Sequence, residues 1–212
     1  MRKYIFIISF MLICSGVSAQ HKSYTFVFLN NKPDKEVLSK EKSDSIMTGH
    51  LNNIGRLANE GKLLAAGPFE GGGGIFILNT TSVKEANEWL ATDPGVKAKR
   101  WNIEVLPYTV TTGGVCAVGE NYEMVFYQFV RFSAVEKINP DFLKLHNQFI
   151  EQIRKDSIVI GGGTFDEKGN SILVLKADTQ KEIIEDDYAV RNGSVKFEMK
   201  KLYIAKGSFC EK

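Results

Sequence analysis

Two of the three histidines in this 212-residue chain stand in a repeated setting. His50 is followed by Gly67 and Phe69, and His146 by Gly163 and Phe165; each residue and its counterpart lie 96 positions apart. An imidazole takes or releases a proton near neutral pH, and a neighbouring carboxylate would orient it and raise its basicity. In Gly67-Pro68 the missing Cβ of glycine would let a ligand come close to a strand end. The competing reading of each histidine is a buried ring bonded for structure alone.

Other chemistries are poorly supported. Gly71-Gly72-Gly73-Gly74 lacks the Lys-Ser/Thr of a phosphate-binding loop and precedes a strand pattern, so it reads as a hairpin turn. Ser157 and Ser171 sit in no G-x-S-x-G nucleophile motif. Trp89, Phe69 and Trp101 read as core. No histidine stands at a metal-like spacing from a cysteine, so no zinc site is expected, and no organic cofactor is implied.

The chain has 27 basic and 25 acidic residues, and the basic ones are dispersed. A nucleic-acid surface needs a clustered basic face, so nucleic acid is not an expected partner. At 43% hydrophobic and 25% charged, the composition is that of an ordinary folded domain.

The first residues stand apart. Arg2 and Lys3 precede an apolar run over 4–13, and Val17-Ser18-Ala19 forms a small-residue cleavage site. This is the pattern of a secretory signal peptide over 1–19, placing the mature protein in the periplasm or outside the cell. The run is shorter than the ~20 residues that span a bilayer, and no other segment would cross one. Removing the leader removes Cys14. Cys116 and Cys210 are then an even pair in an oxidising compartment, where a disulfide would close a long loop; the alternative is two free thiols.

The residues in repeated positions need elements to hold them. Alternation over 23–29 predicts a strand. A helix over 39–60 carries Ile46, His50, Ile54 and Leu57 on one face and stops at Gly61. Strands over 63–69 and 74–80 follow. Ser82-Val83-Lys84-Glu85 is a capping box that opens a helix limited by Pro94, and a strand over 101–108 closes the set. The second half repeats the order: a strand over 123–132, a helix over 140–155, strands over 157–165 and 171–177, a capping box at Thr179-Gln180-Lys181-Glu182, and a strand over 196–204. The strand–helix–strand–strand–helix–strand order, written twice, predicts an α+β fold of two tandem ferredoxin-like units. The continuous apolar runs at 75–78 and 172–175 predict sheets covered on both faces, with one half packed sheet against sheet on the other. The chain divides into 20–112, a Gly-rich linker at 113–119, and 120–212. The result would be a monomer that is internally a pseudo-dimer.

His50-Leu51-Asn52-Asn53-Ile54, Gly61-Lys62-Leu63-Leu64-Ala65-Ala66-Gly67-Pro68-Phe69, Ala86 with Trp89, and Asp93-Pro94 together resemble the YciI-like (YCII-related) family. The resemblance covers nearly all of the first half. It implies a dimeric α+β barrel fold and a site pair of His50 and Asp93, lining a pocket near the dimer-like interface. A His–Asp pair in a pocket suits proton abstraction beside a carbonyl, isomerisation, or loss of halide or water. The second half departs from the pattern: Gly163-Thr164-Phe165 replaces Gly-Pro-Phe. Asp187 stands 94 rather than 96 residues from Asp93, so the second half reads as a cover around one working site, with His146 beside the ligand. Three functions are compatible with this: a lyase or isomerase using His50 and Asp93, a small-organic-ligand binding module, or a structural protein that kept only the fold.

Overall fold

The computed structural model describes residues 22–119 and 121–210. The expected signal peptide, residues 1–19, lies outside them.

The first half runs β1 (Ser23–Asn31), α1 (Lys40–Asn59), β2 (Leu63–Pro68), β3 (Gly74–Leu78), α2 (Val83–Leu90), α3 (Pro94–Lys97) and β4 (Trp101–Thr112). A short β5 (Gly114–Val115) follows. The second half runs β6 (Met124–Ala134), α4 (Pro140–Ile153), β7 (Val159–Thr164), β8 (Ser171–Lys176), α5 (Glu182–Glu185), α6 (Tyr188–Arg191) and β9 (Val195–Ala205), ending in β10 (Phe209–Cys210).

Local chemistry sets most of these boundaries. The Ser39 hydroxyl accepts from the Lys42 amide and opens α1, while Gly61 adopts the left-handed φ of +67° just beyond its end. Ser82 accepts from the Glu85 amide at 3.2 Å and opens α2. Pro94 was expected only to limit the preceding helix; it also starts α3, where its missing N–H has no bond to lose. The second capping box does not form. Lys181, already helical in backbone, occupies the cap of α5 without a side-chain bond, and the buried Thr179 hydroxyl has no partner among the described residues.

All eight long strands belong to one sheet, in the order β2-β3-β1-β4-β7-β8-β6-β9. This corrects the expectation of two separate sheets. The halves join edge to edge, through antiparallel pairs such as Thr109↔Thr164 and Val110↔Gly163. The sheet also wraps, so that the inner faces of its two halves share one core. Phe26, Phe28, Ile75 and Tyr108 of the first half meet Phe129, Ile172, Val174 and Leu202 of the second. The Phe28 and Phe129 rings stand 6.0 Å apart, edge to face. The wrapping does not close a barrel: among the described residues, the β2 edge is joined to β9 just past its end, by the isolated bridge Phe69↔Leu202 and by the Glu70 amide donating to the Lys201 carbonyl at 2.9 Å. Pro68 has no N–H to donate at this seam. Its counterpart Thr164 has one, and pairs with Thr109 on β4.

Helices cover the outer face in two separate layers. Val27, Leu29, Phe76 and Leu78 pack under Leu57, Ala86 and Leu90. Val130, Phe132, Leu173 and Leu175 pack under Ile150, Ile153 and Ile184. Strands buried on both faces explain the unbroken apolar runs of β3 and β8. Among the described residues, no helix is long and apolar enough to cross a membrane.

Two further links tie the halves. Arg131 on β6 donates to both carboxylate oxygens of Glu104 on β4, at 2.8 and 2.7 Å, and its guanidinium lies 4.1 Å from the Phe28 ring centre. The Arg131 hydrogen bonds hold the Glu104 carboxyl below its ordinary range. Cys116 and Cys210 form a disulfide beside the β5–β10 pair, with Cα atoms 5.8 Å apart.

Gly163 and Gly67 make the seams passable. A Cβ on Gly163 would stand 2.3 Å from the Thr109 carbonyl oxygen and 2.5 Å from the Tyr108 ring; one on Gly67 would stand 2.6 Å from the Tyr203 carbonyl oxygen. The close approach expected at Gly67 is therefore to β9 and not to a ligand. Gly163→Ala should destabilise the protein by about 1–3 kcal/mol through overpacking against backbone that cannot retreat. Urea titration checks this as a lowered midpoint at unchanged slope.

Candidate functional site

Each half holds one histidine against one aspartate. On α1, His50 faces the sheet, stacked 5.8 Å from the Phe76 ring and tilted against the Trp101 ring at 4.8 Å. Its Nδ1 lies 2.8 Å from Asp93 Oδ2. Asp93 is the N-cap of α3, and its other oxygen accepts from the Gly95 and Val96 amides at 2.8 and 3.1 Å. On α4, His146 Nδ1 lies 2.6 Å from Asp187 Oδ2. Asp187 caps α6 and accepts from the Ala189 amide at 2.9 Å. Both aspartates are fully buried, and the histidines are 6% and 1% exposed.

The two pairs are thus built alike, and Asp187 does for His146 what Asp93 does for His50. The 94-residue spacing had hidden this. The legible signal was the helix cap: an aspartate, one residue, then an alanine or glycine whose amide the carboxylate takes. Both pairs lie on the helix-covered outer side of the sheet. The pocket implied at the interface between halves is filled instead by the aromatic core.

The surroundings differ. Asp93 also accepts from Asn53 Nδ2 at 3.2 Å, and Asn53 Oδ1 accepts from Arg56 at 2.8 Å and Thr92 at 3.0 Å. Asn53 was not singled out from the sequence, although it lies one turn from His50. This network fixes the first pair from four directions. Burial pushes the Asp93 carboxyl up, but the His50 hydrogen bond and charge, with the Val96 amide and Asn53, outweigh it and hold it below the usual carboxylate range. The folded value is therefore below the unfolded one, about 3.9. Its stabilisation is complete above that pH and is lost as pH falls through the folded value. Asp93→Asn should accordingly be less stable than the parent at pH 7, with the gap closing under acid. Melting temperature against pH for both proteins measures it.

Among the described residues no such network surrounds His146, and a cavity of about 320 Å³ lies against the ring on the side of β7 and β8. Residues 149 and 152, the counterparts of Asn53 and Arg56, are Phe149 and Gln152. The cavity is lined by His146, Ile150 and Arg154 along α4 and by Thr164, Gly169 and Ser171 across from them. A Cβ on Gly169 would lie 3.8 Å from His146 Cδ2, so the imidazole packs beside that loop. At positions 96 residues earlier, Asn147, Arg154 and Thr164 become Leu51, Ala58 and Pro68. At these three cavity-lining positions the second half is polar where the first is apolar. A larger groove of about 810 Å³ is lined by α4 and Lys155 alone; it is a helix flank that contains neither imidazole. Among the described residues, no group of three or more His, Cys, Asp or Glu side chains is placed to hold a metal.

Fold and site together define an α+β protein in which helix-capping aspartates fix buried histidines. Residues 24–109 match the model of the YCII-related domain. No curated protein matches the sequence. Among solved structures the chain is similar to a monooxygenase-like protein from Fusobacterium nucleatum subsp. nucleatum, at 11% identity and TM-score 0.46, covering 87% of this chain and 92% of that one. It is also similar to an anthrone oxidase-like protein, at 10% identity and TM-score 0.49 over 88% and 92%. A third is the siroheme decarboxylase NirDL, at 8% identity and TM-score 0.44 over 90% and 73%.

Proposed function

We propose that this is an exported small-molecule enzyme of lyase or isomerase type, built from two copies of a YCII-like unit of which the second carries the working site. His146 is the proton-transfer group and Asp187 its orienting partner. The observation that carries the reading is the cavity against His146. There a neutral imidazole, with Nδ1–H held by Asp187, presents Nε2 to accept a proton from carbon beside a carbonyl. The protonated ring is stabilised by the Asp187 charge and returns the proton elsewhere on the ligand, which isomerises it, or a leaving group departs. His50 and Asp93 act as a structural pin. Export is supported by the leader pattern of residues 1–19 and by a disulfide of the kind that persists in oxidising compartments.

The depth of His146, 1% exposed, favours a second reading: a binding protein without turnover. A thermal-shift screen of carbonyl metabolites against the parent, His50→Gln and His146→Gln tests the site. Ligand stabilisation should survive in His50→Gln, corrected for its lower baseline, and vanish in His146→Gln. For any hit, deuterium uptake from D2O into the ligand, followed by proton NMR, marks turnover; binding without uptake leaves the carrier reading.

A further inference from the structure

We infer that the ligand of the His146 cavity is a small organic carboxylate, and that Arg154 receives its charged end. This rests on the reading that the cavity is the working site. Arg154, the C-cap of α4, lies eight residues beyond His146, about 12 Å along the axis. Ile150 lies between them, so an elongated ligand along α4 would meet a cation at one end, an apolar wall in the middle and an imidazole at the other.

The guanidinium is short of acceptors. It has five N–H donors in a fixed fork. One nitrogen pairs with Glu151 and another donates to Thr111 Oγ1 at 2.6 Å, while Nε is buried with no partner among the described residues. Its side chain is only 16% exposed, whereas that of Glu151 is 67% exposed. A cation withdrawn from water is poorly compensated by a carboxylate that remains in it. The other acids at the cavity do not fill this need. Asp166 is occupied in its own turn by the Lys168 and Asn170 amides and the Asn170 side chain, and Glu167 is exposed. A ligand carboxylate in the cavity would supply the nearby charge that Glu151 supplies only from solvent. No such cation stands at the first half's equivalent position, Ala58.

The test uses the full mature protein and matched probes: benzoate, 2-oxobutyrate and 4-oxopentanoate, each beside its neutral amide, titrated by NMR. Acids should perturb cavity resonances and their amides should bind at least about tenfold more weakly. Arg154→Gln should abolish the preference, and Arg154→Lys should keep part of it. Circular dichroism and an intact Cys116–Cys210 bridge would show that the variants fold. Acid and amide binding equally, with both lost in His146→Gln, would overturn the carboxylate inference while the His146 site stands. Perturbation by none of the six would overturn both.

Discussion

Serine at both Cys116 and Cys210 should lower the stability of the folded protein by about 4 kcal/mol, a fall in melting temperature of roughly 10 °C. The bridge spans 94 residues of sequence, encircling the whole second half. Cutting it releases a long loop in the unfolded chain, and the entropic gain of that state grows with loop length. The native effect is local by comparison: β5 and β10 are two residues each and share one short ladder. The second half keeps its own helix-covered core, so the serine variant should retain its far-ultraviolet spectrum below the transition. Paired denaturation curves of parent and double-serine protein measure the change. A shift below about 1 kcal/mol would mean that the tail is held by the β5–β10 contacts alone.

The second large effect belongs to Asp93. Asp93→Ala should cost about 3–5 kcal/mol, because it strips partners from a buried ring and from a helix start at once. His50 Nδ1, Asn53 Nδ2 and the Gly95 and Val96 amides all lose their acceptor. Among the described residues, Asp187→Ala removes the acceptor of His146 and Ala189 alone, so roughly 2–3 kcal/mol is expected. The order should reverse in function. Asp187→Ala frees His146 from its tautomer and orientation and should abolish the ligand response, whereas Asp93→Ala should keep it in the fraction that folds. Urea denaturation and the ligand screen, run on the same two variants, read the two columns independently.

The sequence carried the element order because period and punctuation agreed. Ser39 and Gly61 frame α1, Ser82 opens α2, and the unbroken run of β8 announced a strand covered on both faces. The duplicated histidine-to-glycine spacing placed both imidazoles on matching helices. The joining of the halves was less legible. The glycines that permit it, Gly67 and Gly163, look the same in sequence whether a ligand or a backbone approaches them. Asp187 was obscured for a related reason. Between the end of β3 and Asp93 lie 14 residues, and between the end of β8 and Asp187 only 10, so the cap falls out of the 96-residue register while keeping its place in space. The cavity could not be read at all, since it depends on how Arg154 and the Gly169 turn pack around a ring.

A ligand should reach His146 and leave His50 untouched. Long-range nitrogen–proton NMR on histidine-labelled protein observes each imidazole separately, with assignments from the His50→Gln and His146→Gln variants. On adding a bound oxo-acid, the Nε2 signal of His146 should shift while that of His50 stays in place. A shift confined to His50, with His146 unmoved, would contradict the account.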